Sequence, residues 1–113
     1  YTSKWLTESA VRSKTDVRGM ICTLLKDEAI YIQEWITFHL LMGVDLFIIY
    51  DDNSTDNLLE KLRVFQNKVI ILPWASVDKG RDNQEHIQSD RQISAARHCV
   101  AQFGHVPEWL IFL

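Results

Sequence analysis

Four short runs of uninterrupted apolar residues constrain this chain most: "VRGMICTLL" at 17–25, "DLFIIY" at 45–50, "KVIILPW" at 68–74 and "WLIFL" at 109–113. Each has the length of a strand, carries β-branched residues and lacks the apolar–polar alternation of a half-exposed strand. Runs of this kind belong to strands buried on both faces. Between them the spacing changes to that of helices. In "AIYIQEWITFHLLMG", Ile32, Trp35, Ile36, His39 and Leu40 fall at i, i+3, i+4, i+7 and i+8, and Gly43 is a helix stop. Phe38, Leu41 and Met42 widen that apolar arc and call for neighbours on more than one side. A second helix follows Asn57, whose spacing to Glu60 is that of an N-terminal capping pair; it points Leu58, Leu59, Leu62 and Phe65 one way. A polar loop over 75–84 leads to a third helix from about Glu85 to Phe103, with Ile93, Ala96, Val100 and Phe103 facing inward. The order strand–helix–strand–helix–strand–helix–strand predicts an α/β fold, a mostly parallel sheet with helices on both faces. Right-handed crossovers then bring the carboxyl ends of all strands to one edge.

Composition agrees. The chain has 113 residues, 47% of them hydrophobic and 24% charged, which suits one packed domain. Residues 1–16 read as a loosely attached lead-in, and 17–113 as the domain. The formal net charge of −3 provides no basic footprint for nucleic acid or an anionic membrane. Cys22 and Cys99 lie far apart inside apolar segments, a pattern read as two buried thiols rather than a disulfide framework or zinc site. No apolar run approaches the ~20 residues that span a bilayer. With neither an initiating Met nor a signal-peptide pattern, the chain reads as a piece of a longer polypeptide.

The second apolar run ends at Asp51 and Asp52, followed by Asn53, Ser54, Thr55 and Asp56. In open α/β sheets ligands bind beyond the carboxyl ends of the strands, and Lys26-Asp27-Glu28 reaches the same edge from the first strand. A dinucleotide fingerprint or Walker loop is excluded, because Gly19, Gly43, Gly80 and Gly104 are isolated. A calcium loop starting at Asp51 fails at its sixth and twelfth positions, which hold Asp56 and Leu62. What remains is a carboxylate pair that only accepts hydrogen bonds, suited to a ligand presenting donors, such as the N3–H of uracil or the hydroxyls of ribose.

The segment "CTLLKDEAIYIQEWITFHLLMGVDLFIIYDDNSTDNLLEKL", 22–62, resembles the opening of GT-A glycosyltransferases of the family 2-like and family 92 groups. The matching features are Lys26-Asp27-Glu28, Glu34-Trp35 with His39, Gly43-Val44-Asp45, and Asp51 through Asp56. Asp27 stands where those enzymes usually have Asn. A weaker likeness continues through 84–99 and "EWLIFL". The resemblance implies sugar transfer from a nucleotide-sugar donor, UDP-sugar favoured, to a glycan or other hydroxyl acceptor, with inversion. It implies nucleotide contacts at Asp52 and Asp51, with Asp52 on the base. Lys26 and Glu28 would line the same pocket, and Arg91 or Arg97 would reach the diphosphate. In such enzymes the strand matching "WLIFL" leads into an Asp-x-Asp motif holding Mn²⁺ or Mg²⁺. Neither that motif nor the catalytic base lies within 1–113, so no catalytic or metal residue is assigned here. Compartment follows the same analogy: membrane-associated of Golgi type, or cytoplasmic in a bacterium.

Simpler readings compete at each position. Turn and cap chemistry explains Ser54 and Asp56. Glu34 and His39 read as structural, and Glu28 as a residue favouring a helix N-terminus. Arg91 and Arg97 read as solvated or ion-paired, and the tryptophans as packing. Two other functions fit a strand-end acid pair. One is a receiver-like phosphoacceptor domain, although the third strand ends in Leu72-Pro73-Trp74 without a carboxylate. The other is a non-catalytic binding module of the same fold.

Overall fold

The structure is a computed structural model and describes residues 5–74 and 84–113, the side chains of 84–89 excepted. Most of the polar loop expected over 75–84 lies outside the described residues. Four strands form one parallel sheet: β1 (Gly19–Leu25), β2 (Leu46–Asp51), β3 (Val69–Pro73) and β4 (Trp109–Phe112), in the order β3-β2-β1-β4. The helices are α1 (Glu8–Arg12), α2 (Ala29–Leu41), α3 (Leu58–Leu62), prolonged by a 3-10 turn Arg63–Phe65, and α4 (Gln84–Phe103). The expected α/β, Rossmann-like architecture is what the chain adopts.

Strand alternation divides the core in two. Ile21, Phe47, Ile49, Val69 and Ile71 face α2 and α3, meeting Ala29, Ile32, Ile36, Leu58 and Leu62. Met20, Cys22, Leu46, Ile48, Tyr50 and Ile70 face the other way, onto Ala95, Cys99 and Phe103 of α4. Both faces of β2 are thus fully covered, which is why its sequence shows no alternation. On the α4 side Tyr50 passes its hydroxyl to His98 Nδ1 at 2.9 Å, and Trp74 stands edge-on to the Tyr50 ring. Burial pushes the Tyr50 phenol upward, so it stays protonated.

Three expectations are corrected by this packing. First, the described part of the lead-in, from Trp5 onward, is not loose. Thr7 Oγ1 accepts the Ala10 N–H as a helix cap, Val11 is fully buried beneath α1, and Arg12 reaches Gln102 of α4. Second, α4 presents Ala95, Cys99 and Phe103 inward, while Ile93 and Val100 are half or more exposed. The helix is turned by about one residue from the phase its isolated apolar residues suggested, because two small residues let it approach the sheet closely. Leu59 in α3 is likewise exposed, leaving Leu58 and Leu62 as its inward pair. Third, Cys22 and Cys99 are not separate thiols. β1 and α4 bring their Cα atoms to 6.6 Å, and the two are joined as a disulfide in the buried core. Sequence separation hid this pairing, since only the crossover through α4 juxtaposes the positions.

The apolar arc of α2 is partly unpartnered among the described residues. Ile32 and Ile36 are buried, while Phe38, Leu41 and Met42 stand exposed. The helix stops as expected at Gly43, whose φ of 101° is a left-handed conformation, and Val44 N–H returns to His39 O at 3.0 Å. At the opposite edge of the sheet, Asp45 Oδ2 accepts the backbone N–H groups of Arg18 and Gly19, fixing the entry to β1.

Candidate functional site

The strand order locates the crevice. The chain moves outward from β1 to β2 to β3 and then returns to the far side of β1 for β4. The α2 connection therefore covers one face and α4 the other, and the order reverses between β1 and β4. Open α/β sheets take ligands at such a switch point, beyond the carboxyl ends of the strands. A cavity of about 360 Å³ opens there, lined by Thr23, Leu24 and Leu25 of β1, Glu28, and Tyr31, Ile32 and Trp35 of α2, with Gln92 and Leu113 opposite. Its walls are mainly apolar and aromatic, with Glu28 as the one carboxylate of the lining. Of the six residues singled out from the sequence, only Glu28 lines this cavity.

The loop after β2 is built by hydrogen bonds that the sequence reading assigned only in part. Asp27 has φ of 54°, in the left-handed region where Asn and Asp are the tolerated side chains. That requirement suits Asp at this position as it would the Asn expected from the resemblance. Its Oδ1 accepts from Thr55 N at 2.7 Å and Asp56 N at 3.3 Å, and its own N–H donates to Ser54 Oγ at 2.9 Å. The Thr55 backbone N–H, aided by Asp56 N–H, the Thr55 hydroxyl and the charge of Lys26, holds the Asp27 carboxyl below the usual range. Asp27 thus clasps the turn after β1 to the loop after β2.

Asp56 serves two helices. Its Oδ2 accepts Ala29 N–H, the first turn of α2, at 2.9 Å, and its Oδ1 accepts Leu58 N–H, the start of α3, at 3.2 Å. The capping pair expected from Asn57 and Glu60 is not formed: Asn57 makes no side-chain cap, and Asp56 takes that role from one position earlier. Ser54 and Asp56 follow the turn-and-cap reading.

Asp51 and Asp52 part company. Period-two alternation sends adjacent side chains to opposite faces of a strand. Asp51, 5% exposed, is directed to the α2–α3 side and accepts the Ser54 N–H at 3.1 Å. It ties off the bend, which gives Asp51 a structural role distinct from that of Asp52. Asp52 continues the α4-facing series of Ile48 and Tyr50. Its N–H is fixed by Leu25 O at 2.9 Å, and its Oδ2 meets Arg91 NH2 at 3.0 Å. The two side chains are 13% and 22% exposed, a pair largely withdrawn from water. Lys26 is exposed at the end of β1. Arg97 is exposed too, and six positions beyond Arg91 it is turned well round the helix from the pair. His39 is structural as expected: its Nδ1 donates to Trp35 O at 2.8 Å, and its ring packs on Trp35 and Phe47. Among the described residues no group of three or more His, Cys, Asp or Glu side chains is arranged to hold a metal ion.

The sequence profile of glycosyltransferase family 92 matches residues 21–113, from within β1 through the whole switch-point crevice. The chain belongs to glycosyltransferase family 92. A family 92 protein of Oryza sativa subsp. japonica is 38% identical over 82% of this chain, and one of Ricinus communis is 25% identical over 94%. A family 92 protein of Arabidopsis thaliana is 35% identical over 42% of the chain. The chain spans 14% and 18% of the length of the rice and castor relatives, and 8% of the Arabidopsis one. No solved structure matches it significantly. Membership of family 92 displaces the receiver-like reading, and β3 agrees: at its end Trp74 donates its N–H to Asp51 O, and no carboxylate stands there.

The cavity-lining residues other than Glu28 were missed in the sequence. One signal was present: Tyr31 and Trp35 follow Glu28 by three and seven positions, one stripe of a helix that starts at the sheet edge. None of the described helices is long and apolar enough to cross a membrane.

Proposed function

We propose that this chain supplies the nucleotide-binding portion of a glycosyltransferase that takes sugar from a nucleotide-sugar donor, UDP-sugar being favoured, and passes it to a hydroxyl acceptor. The observation that carries the reading is Asp52. It is a largely buried carboxylate at the carboxyl end of β2, fixed through its backbone, with Oδ2 on Arg91 and no other side-chain partner among the described residues. A carboxylate in that state accepts from the N–H of a base or the hydroxyl of a ribose.

The layout fits an elongated ligand. Neighbouring strands lie about 4.8 Å apart, so a nucleoside at Asp52 beyond β2 extends its phosphates over β1. Lys26 there offers a cation, and the sugar end reaches the crevice beside Glu28, Tyr31 and Trp35. Metal dependence (Mn²⁺ or Mg²⁺) and inversion of configuration belong to this proposal through family analogy alone, as does a membrane-associated Golgi-type setting for a eukaryotic protein.

Calorimetric titration with UDP, GDP and UMP tests the reading, with Asp52→Asn as the control. The expected result is measurable binding of at least one nucleotide, weakened on the order of tenfold in the variant, as for loss of one charge-assisted hydrogen bond. Equal heats for both proteins would remove the case for a nucleotide at Asp52.

A further inference from the structure

We infer that Arg91 is a positioning residue for Asp52 and not a contact of the donor diphosphate. The inference rests on the nucleotide reading of Asp52 and goes beyond it, because it changes what Arg91 does and how the site discriminates nucleosides.

A guanidinium commonly meets a carboxylate through two parallel hydrogen bonds. Here they meet as an ion pair whose closest atoms are Arg91 NH2 and Asp52 Oδ2, at 3.0 Å. The Arg91 Nε–H is buried and has no hydrogen-bond partner among the described residues. Burying a donor unpaired is unfavourable, and native structures rarely do it without a reason. With Arg91 on Oδ2, Asp52 Oδ1 has no partner among the described residues and is left to accept from elsewhere. Asp52 is also held at its backbone, where its N–H meets Leu25 O at 2.9 Å. With the main chain pinned to β1 and one oxygen pinned to α4, the direction of the remaining lone pairs is set before a ligand arrives. Pre-setting an acceptor in this way spares the ordering cost on binding and sharpens the choice among bases.

The same geometry argues against a phosphate role. Arg91 is 22% exposed and already engaged, whereas a diphosphate running over β1 meets the exposed Lys26 first. Arg91 also balances the charge of Asp52, so that a polyanionic ligand does not meet an uncompensated carboxylate at the sheet edge.

A double-mutant cycle on nucleotide affinity separates the two roles. The proteins compared are wild type, Asp52→Asn, Arg91→Met, the double variant and Arg91→Lys, each titrated with UDP and with 3-methyl-UDP, whose base lacks the N3–H. Thermal melts of each establish that it is folded. If Arg91 acts through Asp52, Arg91→Met weakens UDP binding on the order of tenfold. The double variant then binds no worse than Asp52→Asn, Arg91→Lys restores part of the loss, and the preference for UDP over 3-methyl-UDP falls in Arg91→Met as it does in Asp52→Asn. If the two losses multiply and the preference between the two nucleotides is kept in Arg91→Met, Arg91 touches phosphate and the inference is overturned while the reading of Asp52 stands. If wild type binds neither nucleotide, or Asp52→Asn binds as wild type does, the reading of Asp52 fails and the inference with it.

Discussion

Replacing Asp56 by Ala tests how the loop that carries Asp52 is built. One carboxylate caps two helices, accepting Ala29 N–H at 2.9 Å through Oδ2 and Leu58 N–H at 3.2 Å through Oδ1. Removing a capping side chain costs about 1 kcal/mol, within a range of about 0.5–2. Ala29 and Leu58 are 4% and 2% exposed, so water replaces the lost acceptor poorly and the cost falls toward the upper part of that range. Two caps on one residue then put Asp56→Ala at about 2–4 kcal/mol, a large part of the ~5–15 kcal/mol that holds a domain of this kind folded. The assay is urea unfolding followed by circular dichroism, with the midpoint shift converted through an unchanged slope. Asp56→Asn keeps an oxygen for one of the two N–H groups and is expected to lose about half as much. A midpoint for Asp56→Ala within experimental error of wild type would refute the double-cap account, because no other acceptor for those two N–H groups is provided by the loop.

Other expectations follow from the same packing. The Asp27 carboxyl titrates below its ordinary value of 3.8 in the folded chain, so its contribution to stability is present above that pH and is lost as pH falls through the lower folded value. Asp27→Asn should flatten the acid limb of a stability-versus-pH profile, and an unchanged limb would contradict the clasp. At Gly104 a Cβ would sit 2.5 Å from the Val100 carbonyl oxygen, so Gly104→Ala should lower stability by about 1–3 kcal/mol in the same unfolding assay. The Cys22–Cys99 bridge predicts no uptake of iodoacetamide under denaturing, non-reducing conditions and two additions after reduction, read by mass spectrometry. Reduction should also remove about 2–4 kcal/mol of stability, as for other long-loop bridges.

The strands, their parallel arrangement and the edge on which function gathers were legible because unbroken apolar runs have few other uses. α2 was legible in detail, since its buried stripe repeats cleanly through Ile32 and Ile36 and ends at a glycine with positive φ. α4 was legible as a helix but not in phase: its contact face is made of Ala95 and Cys99, residues that carry little hydropathy and matter through their small size. The disulfide escaped for a related reason, as its two positions meet only across the crossover. At the site, the adjacency of Asp51 and Asp52 suggested a single pair. The alternation that a strand imposes divides them, one to the bend and one to Arg91. Asp27 looked like a mild departure from a motif, but its left-handed backbone and its three acceptor contacts appear only when the two loops are brought side by side.

A structure of the protein with UDP bound tests the central claim most directly. The account predicts the nucleoside beyond the end of β2, with a base N–H or ribose hydroxyl within hydrogen-bonding distance of Asp52 Oδ1 and Arg91 still on Oδ2. Nucleotide found away from the carboxyl edge of the sheet, with the Asp52–Arg91 pair untouched, would contradict it.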